Sequence, residues 1–352
     1  MREMNMKVNR LPQPTWNWLK MNSAAVAASL GSEGRVSVQL PDGMREDLLK
    51  VSSLDVDTGM GADLDALVKA SGVPVRRYVA DGSVAEPLRL NFAFDDVSSV
   101  NAVEIVTAPG SDLTVVMDYR SAEKASGFAA VQTKLNPGDG ATIHLVQIQR
   151  LGDSLTFCND VGARCGENSR LELLQLFLGG ARTYTGSACA LDGADSSLKC
   201  DLGYLVKGEQ QLDMNYLALH RGRKTVSELN ASGVLRGHGS KLFRGTIDFR
   251  RGAVGAVGNE KEDALLMDDT VINRTIPLIL CSEENVEGNH GATIGRLDDA
   301  TLFYLESRGL TREEVYETVA QARLMALCRK IKDAPTRAGV ARWLKGGEEY
   351  DA

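Results

Sequence analysis

The sequence predicts a mainly β protein, a repetitive β-solenoid that ends in a small C-terminal α-helical subdomain. Three observations carry this expectation. Between Pro87 and Asp269, short runs alternate apolar and polar residues with the period of two that a half-buried strand requires. Glycines punctuate those runs at Gly138, Gly152, Gly166, Gly180, Gly193, Gly208, Gly222, Gly237 and Gly252, at intervals of 13 to 15 residues, as if one strand-and-turn unit were reused. Beyond residue 295 the pattern turns helical. An antiparallel sandwich is the competing arrangement for the strands.

The totals bound the function. A chain of 352 residues can hold one large or two medium domains. With 35 glycines and 5% aromatic residues, it favours tight turns over a helical bundle. A net charge of −7 leaves no general excess of positive charge for a phosphate backbone, so nucleic acid is excluded as an expected partner. The first residues are polar and carry Pro12 and Pro14, unlike a secretory leader, and no run approaches the roughly 20 apolar residues that span a bilayer. A cytoplasmic protein without membrane contact is expected. The six cysteines contain no C-x-x-C pair, so no local zinc knuckle is encoded, and each reads as a small buried hydrophobe with a free thiol.

Taken in order, residues 1–74 read as an amino-terminal arm of short helical and loop pieces. Leu64, Leu67 and Val68 lie at helical spacing before Gly72, and Trp16 and Trp18 read as anchors that pack on the body. Residues 75–295 read as the solenoid. Leu198, Cys200, Leu202 and Tyr204 point one way and Lys199 and Asp201 the other; Phe243, Ile247 and Phe249 repeat this. In "QLDMNYLAL", Leu212, Met214 and Tyr216 give way to Leu217 and Leu219, a register shift that predicts a bend. Residues 296–352 read as the helical subdomain. Asp298 is an N-cap, Thr311 and Glu314 form a capping box, and Val315, Val319, Ala322 and Ala326 form a stripe. Solenoids need caps, and the two irregular termini are the expected ones.

Among motifs, there is no P-loop, no G-x-S-x-G elbow and no H-E-x-x-H. "GAVGAVG" reads as a turn between coils. His144 reads as a hydrogen-bonded strand residue, His220 as a strand end and His238 as a turn residue. His290 differs. It reads as lying in a loop of small residues, Gly288 to Thr293, that leaves its ring uncrowded, with Glu287 as a nearby carboxylate; such an imidazole suits borderline metals including iron.

The runs "FRGTIDFRRGAVGAVGNEKEDALLMDD", "IPLILCSEENVEGNHGATIGRLD" and "LFYLESRG" resemble the carboxy-terminal core of the SufB/SufD family of iron–sulphur cluster assembly proteins, with a lean to its SufD branch. The resemblance implies a right-handed parallel β-helix. It implies a non-catalytic scaffold subunit that pairs with a SufB-like chain, receives a SufC-type ABC ATPase on its helices and leaves ATP hydrolysis to that partner. It also implies a transient iron–sulphur cluster at the subunit interface with His290 as a ligand; flavin occurs among such complexes but no motif assigns it here. Phe303, Tyr304, Leu305 and Arg308 would then help dock the ATPase. Many relatives have Cys two residues before the histidine, where this chain has Gly288; Cys281 is further upstream, and like Glu287 it is a weaker ligand candidate. A homodimer stays open beside the heterodimer. The alternatives are a β-helical carbohydrate-active enzyme using Asp248 and Glu260 as paired acids, and a metal-free homomeric scaffold.

Overall fold

Strand alternation and glycine interval both resolve into a parallel β-solenoid in the computed structural model, which describes residues 3–15, 17–95 and 98–346. An antiparallel hairpin, β1 (Glu3–Val8) and β2 (Ala24–Ser29), precedes β3 (Ser32–Glu33), β4 (Arg35–Gln39), β5 (Met44–Leu49) and α1 (Ala62–Ser71). There follow β6 (Val75–Ala80), β7 (Leu88–Phe94), β8 (Ser99–Thr107), β9 (Asp112–Ser121), β10 (Ser126–Asn136), β11 (Thr142–Arg150), β12 (Ser154–Cys165) and β13 (Arg170–Phe177). Then come β14 (Arg182–Leu191), β15 (Ser197–Val206), β16 (Gln211–His220), β17 (Val226–Leu235), β18 (Ser240–Phe249), β19 (Ala256–Leu266), β20 (Ile272–Cys281) and β21 (Val286–Gly295). Helices α2 (Asp299–Ser307), α3 (Arg312–Cys328) and α4 (Ala334–Leu344) end the described chain.

Even-numbered strands from β6 to β20 stack in one sheet and odd-numbered strands from β7 to β21 in the other, so each rung is two strands and two turns. Thr142 stands over Asp112, 30 residues earlier, and Arg170 over Thr142, 28 earlier. The 13-to-15-residue glycine interval is therefore half a rung, and all nine of those glycines lie between strands. The inward side chains of both sheets form one continuous core that includes Leu198, Cys200, Leu202, Tyr204, Phe243, Ile247 and Phe249. Five of the six cysteines are buried free thiols; Cys281 is exposed.

The outer faces are covered too, as parallel sheets require. On the even sheet, Met6, Val8, Leu64 and Leu67 of the hairpin and α1 pack on Val75, Val100, Ala102, Phe128 and Ala130. The strap then runs up the stack, where the Arg244 guanidinium donates to the Met21 carbonyl (2.7 Å) and Leu11 and Met21 pack on Ile276. On the odd sheet, Leu324, Leu327, Ile331 and Val340 pack on Val116, Val146, Ile148, Leu174 and Leu176. Asp298, Thr311 and Asp333 cap the three helices, Thr311 with Glu314 in a full capping box.

Several expectations need correction. The amino-terminal segment holds strands as well as a helix, because its alternating pieces are short and pair with distant partners. Trp18 is 77% exposed, so it does not anchor the arm; Trp16 lies outside the described residues. No register shift occurs in β16: Ala218 and His220 continue the inward set, while Leu217 and Leu219 turn to the half-buried outer face. The buried stripe of α3 is Val315, Tyr316, Ala320, Leu324, Leu327 and Cys328, with Ala322 and Ala326 exposed. Among the described residues, the amino-terminal end of the stack is covered by antiparallel β4 and β5, whose Val36, Val38 and Met44 rest on the core. The carboxy-terminal helices lie along the flank instead of over the other end.

Adjacent turns approach so closely that some positions exclude even a methyl group. A Cβ on Gly193 would lie 2.1 Å from the Glu167 nitrogen, and one on Gly222 would lie 2.2 Å from the Gly193 carbonyl oxygen. Gly193→Ala is expected to lower stability by about 1–3 kcal/mol through overpacking, read as a lower urea midpoint with unchanged m-value.

Candidate functional site

The stack ends on an open rung. Among the described residues, β20 pairs only with β18 and β21 only with β19, leaving one edge of each ten-residue strand free. His290 lies on this rung, within β21 and not in a loop: the small residues around it are a strand whose outward neighbours are missing, which is why they read as loop. Its direction follows from the strand period. Gly288 faces inward, since a Cβ there would meet the Phe249 ring at 3.0 Å, whereas Gly291 faces open space. His290, two residues past Gly288, points into the mouth of the lumen and remains exposed.

Beneath it the lumen is charged. His290 is in register with Glu260 on β19, and Glu262 is the next inward residue. Glu262 is satisfied: Lys241 and Tyr204 donate to one carboxylate oxygen and the Thr275 hydroxyl to the other (2.5 Å). Glu260 is not. It is 5% exposed, and its Oε2 is buried without a hydrogen-bond partner. Burial, and then the neighbouring Glu262 carboxylate, push its carboxyl up to about 8 against the opposing pull of Lys241. Burial likewise pushes the Lys241 ammonium down, with Glu262 resisting.

The other candidates are not brought to this point. Glu287 faces outward, where its carboxylate accepts from Asn289 Nδ2 (3.0 Å), so it cannot share a ligand with the inward His290. Cys281 ends β20 at the turn, its thiol donating to the Glu283 carbonyl (3.0 Å). Asp248 lies on the outer face of β18 beside Arg250 (2.8 Å), the wall of the sheet standing between it and Glu260; the paired-acid constellation is not formed. Phe303 and Tyr304 are 73% and 56% exposed on α2, with the Arg308 guanidinium 5.2 Å from the Tyr304 ring; Leu305 is half-buried in the helical core. The remaining histidines have the structural roles expected. His144 is buried between Glu172 (2.8 Å) and Asp112 (3.2 Å), His220 between the hydroxyls of Thr225 and Ser227, and His238 is in an exposed turn.

Residues 91–323 match the family described as SUF system FeS cluster assembly, SufBD core domain. The chain belongs to this family. It is 25% identical over 228 residues to the iron–sulphur cluster assembly protein SufD of Bacillus subtilis (strain 168), covering 64% of this chain and 52% of that protein. It is 27% identical over 252 residues to SufD of Escherichia coli (strain K12), covering 68% and 58%, and 30% identical over 156 residues to SufB of Bacillus subtilis (strain 168), covering 44% and 33%. The matched region thus spans between 33% and 58% of the length of these curated relatives.

In this SufBD family member, no group of three or more metal-binding side chains is preassembled among the described residues. Among the described residues, no helix is long and apolar enough to cross a membrane. The residues that sequence reasoning passed over are Lys241 and Glu262, together with the true setting of Glu260. Their signal was present: Lys241 and Glu262 occupy positions in strands where alternation demands an apolar side chain.

Two outcomes follow from these burials. Lys241→Met leaves Glu262 buried beside Glu260 without its cation and is expected to cost about 3–5 kcal/mol in chemical denaturation, while adding Glu262→Gln restores much of the loss. His220, lowered by burial from 6.5 to about 4, stays neutral in the fold. Its contribution is therefore present above pH 6.5 and is lost as pH falls toward about 4, on the order of 2 kcal/mol; His220→Gln should flatten that part of the stability–pH curve.

Proposed function

We propose that this chain is a SufD-like, non-catalytic scaffold subunit that pairs with a SufB-like chain through its open rung and helps build a transient iron–sulphur cluster there. The observation that carries the reading is His290, an exposed imidazole on the inward face of the last parallel rung, whose outer edge has no neighbour among the described residues. Unpaired strand edges are a ready template for another chain, and Ile272 and Ile294 add exposed apolar surface at the same end. A partner solenoid stacked here would complete the backbone hydrogen bonding and close the mouth over His290. Iron is the cargo in this scheme, and with Gly288 in place of a thiol, sulphur donors come from the partner side.

ATP hydrolysis belongs to a SufC-type ABC ATPase in this reading, in keeping with the missing P-loop. Phe303, Tyr304 and Arg308 offer an exposed aromatic–guanidinium patch to it, with Leu305 tying the patch to the helical core. Flavin has no assigned site. The carbohydrate-enzyme alternative loses its motive, since Asp248 and Glu260 lie on opposite sides of a strand.

Mixing the chain with a SufB-like subunit and a SufC-type ATPase and measuring complex mass tests the assembly; failure to associate with either overturns it. Within the reconstituted complex, His290→Ala is expected to reduce anaerobic cluster build-up at least tenfold while complex mass stays the same. Unchanged build-up would remove His290 as a ligand.

A further inference from the structure

The lumen mouth contains a buried carboxylate oxygen that nothing in the fold satisfies. Glu260 Oε2 is enclosed and unpartnered, although its neighbour Glu262 has every oxygen engaged. Buried polar atoms are nearly always paired, so an orphan calls for an explanation. Space for this carboxyl is made by a glycine in the opposite sheet: a Cβ on Gly245 would stand 2.4 Å from Glu260 Cδ and Oε1. Gly245 has no positive φ to justify it, so its role is to leave room for the carboxyl group.

In a parallel ladder, side chains in register project from the same face, about 4.8 Å apart at the backbone. Glu260 and His290 are such a pair, on the last two rungs of the odd sheet. One ion with nitrogen and oxygen ligands at about 2.0–2.2 Å fits between two side chains so placed. The chemistry also agrees: imidazole nitrogen with carboxylate oxygen is a donor pair that first-row divalent metals accept, with positions left open for water or a partner's ligands. The Lys241–Glu262 pair beside it is internally neutralised and leaves Glu260 as the carboxyl that would give up its proton to an incoming cation.

We propose that Glu260, cradled over Gly245 and in register with His290, is a second metal-ligating side chain, which takes a divalent transition-metal cation entering from the open end of the lumen. This inference rests on the reading of His290 as an iron ligand and extends it to a two-donor site contributed by this chain alone. The site is a carrying position: two donors hold the ion, and its remaining positions face the open rung.

Anaerobic titration of the full chain with Co2+, followed by calorimetry and by the visible d–d absorption of the bound ion, tests it. Wild-type protein is expected to bind one Co2+ per chain. Glu260→Gln and His290→Ala should each weaken binding at least tenfold, and Gly245→Ala, which displaces the carboxyl, should weaken it and alter the absorption spectrum. Glu284→Gln, which removes a charge from the exposed turn, should bind within twofold of wild type. Far-UV circular dichroism and thermal unfolding establish that each variant is folded. Absence of one-to-one binding by wild type, or wild-type affinity in folded Glu260→Gln, overturns the proposal. If complex mass with a SufB-like chain is retained in either case, only this inference falls; loss of that association overturns the scaffold reading itself.

Discussion

Backbone hydrogen bonding between rungs is satisfied on both sides of every inner strand and on one side only at the two ends of the stack. Each rung contacts its neighbours, and the hairpin, strap and helices that run along the outer faces tie several rungs together. Ending such a stack costs unpaired donors and acceptors wherever it stops. At the amino-terminal end β4 and β5 reverse direction and lay Val36, Val38 and Met44 over the core. At the other end β20 and β21 are left bare, Ile279 and Val286 are only half-buried, and Pro277 removes one donor from the even edge. The two ends thus differ in direction and cover: reversed strands rest on the core at one, and parallel strands with half-buried inward residues end the other.

The polar contents of the lumen change along the same axis. Deep inside, Gln147 donates to Tyr119 (2.8 Å) and accepts from Asn159 (2.8 Å) and Gln175 (2.5 Å), while Tyr216 donates to Gln175. These groups sit on strands of both sheets, so they tie the two walls in one register, and together they form a closed network. At the mouth the network becomes ionic and incomplete. Lys241 and Glu262 neutralise each other, and Glu260 is left over. The paired groups of that network hold the two walls in one register, and Glu260 Oε2, one of several buried polar atoms without a partner, stands apart in lying at the open rung beneath His290.

Much of the solenoid was legible because its period is short and repeated. Alternation in "SLKCDLGYLV" gives the inward set without reference to any contact, and the glycine interval marks half-rungs because turns stacked on turns admit no side chain at positions such as Gly193. What failed did so where local pattern and tertiary cover diverge. Leu217 and Leu219 mimic a bend because they are apolar on an outer face, where both are half-buried and Leu217 lines a cleft with Pro12 and Met60. The stretch from Gly288 to Thr293 looked like loop because small exposed residues are common to loops and to an uncovered edge strand. On a strand, residues three apart face opposite sides and residues two apart the same side, which separates Glu287 from His290 and keeps Gly288 with it.

That spacing rule also bears on the missing thiol. Position 288 shares the inward face with His290, so a cysteine there would place sulphur beside the imidazole. Gly288 leaves that space to Phe249, whose ring would have to yield a few tenths of an ångström to any β-carbon. Cys281 offers no replacement, because it sits at the turn end of β20 with its thiol directed to a carbonyl. The side chains at the mouth, His290 and Glu260, offer nitrogen and oxygen, which would hold ferrous iron less firmly than thiolate does. A cation held by such a pair at an open rung would be drawn toward any thiolate that a docking partner brought to the same seam, and the direction of transfer would follow from ligand chemistry alone.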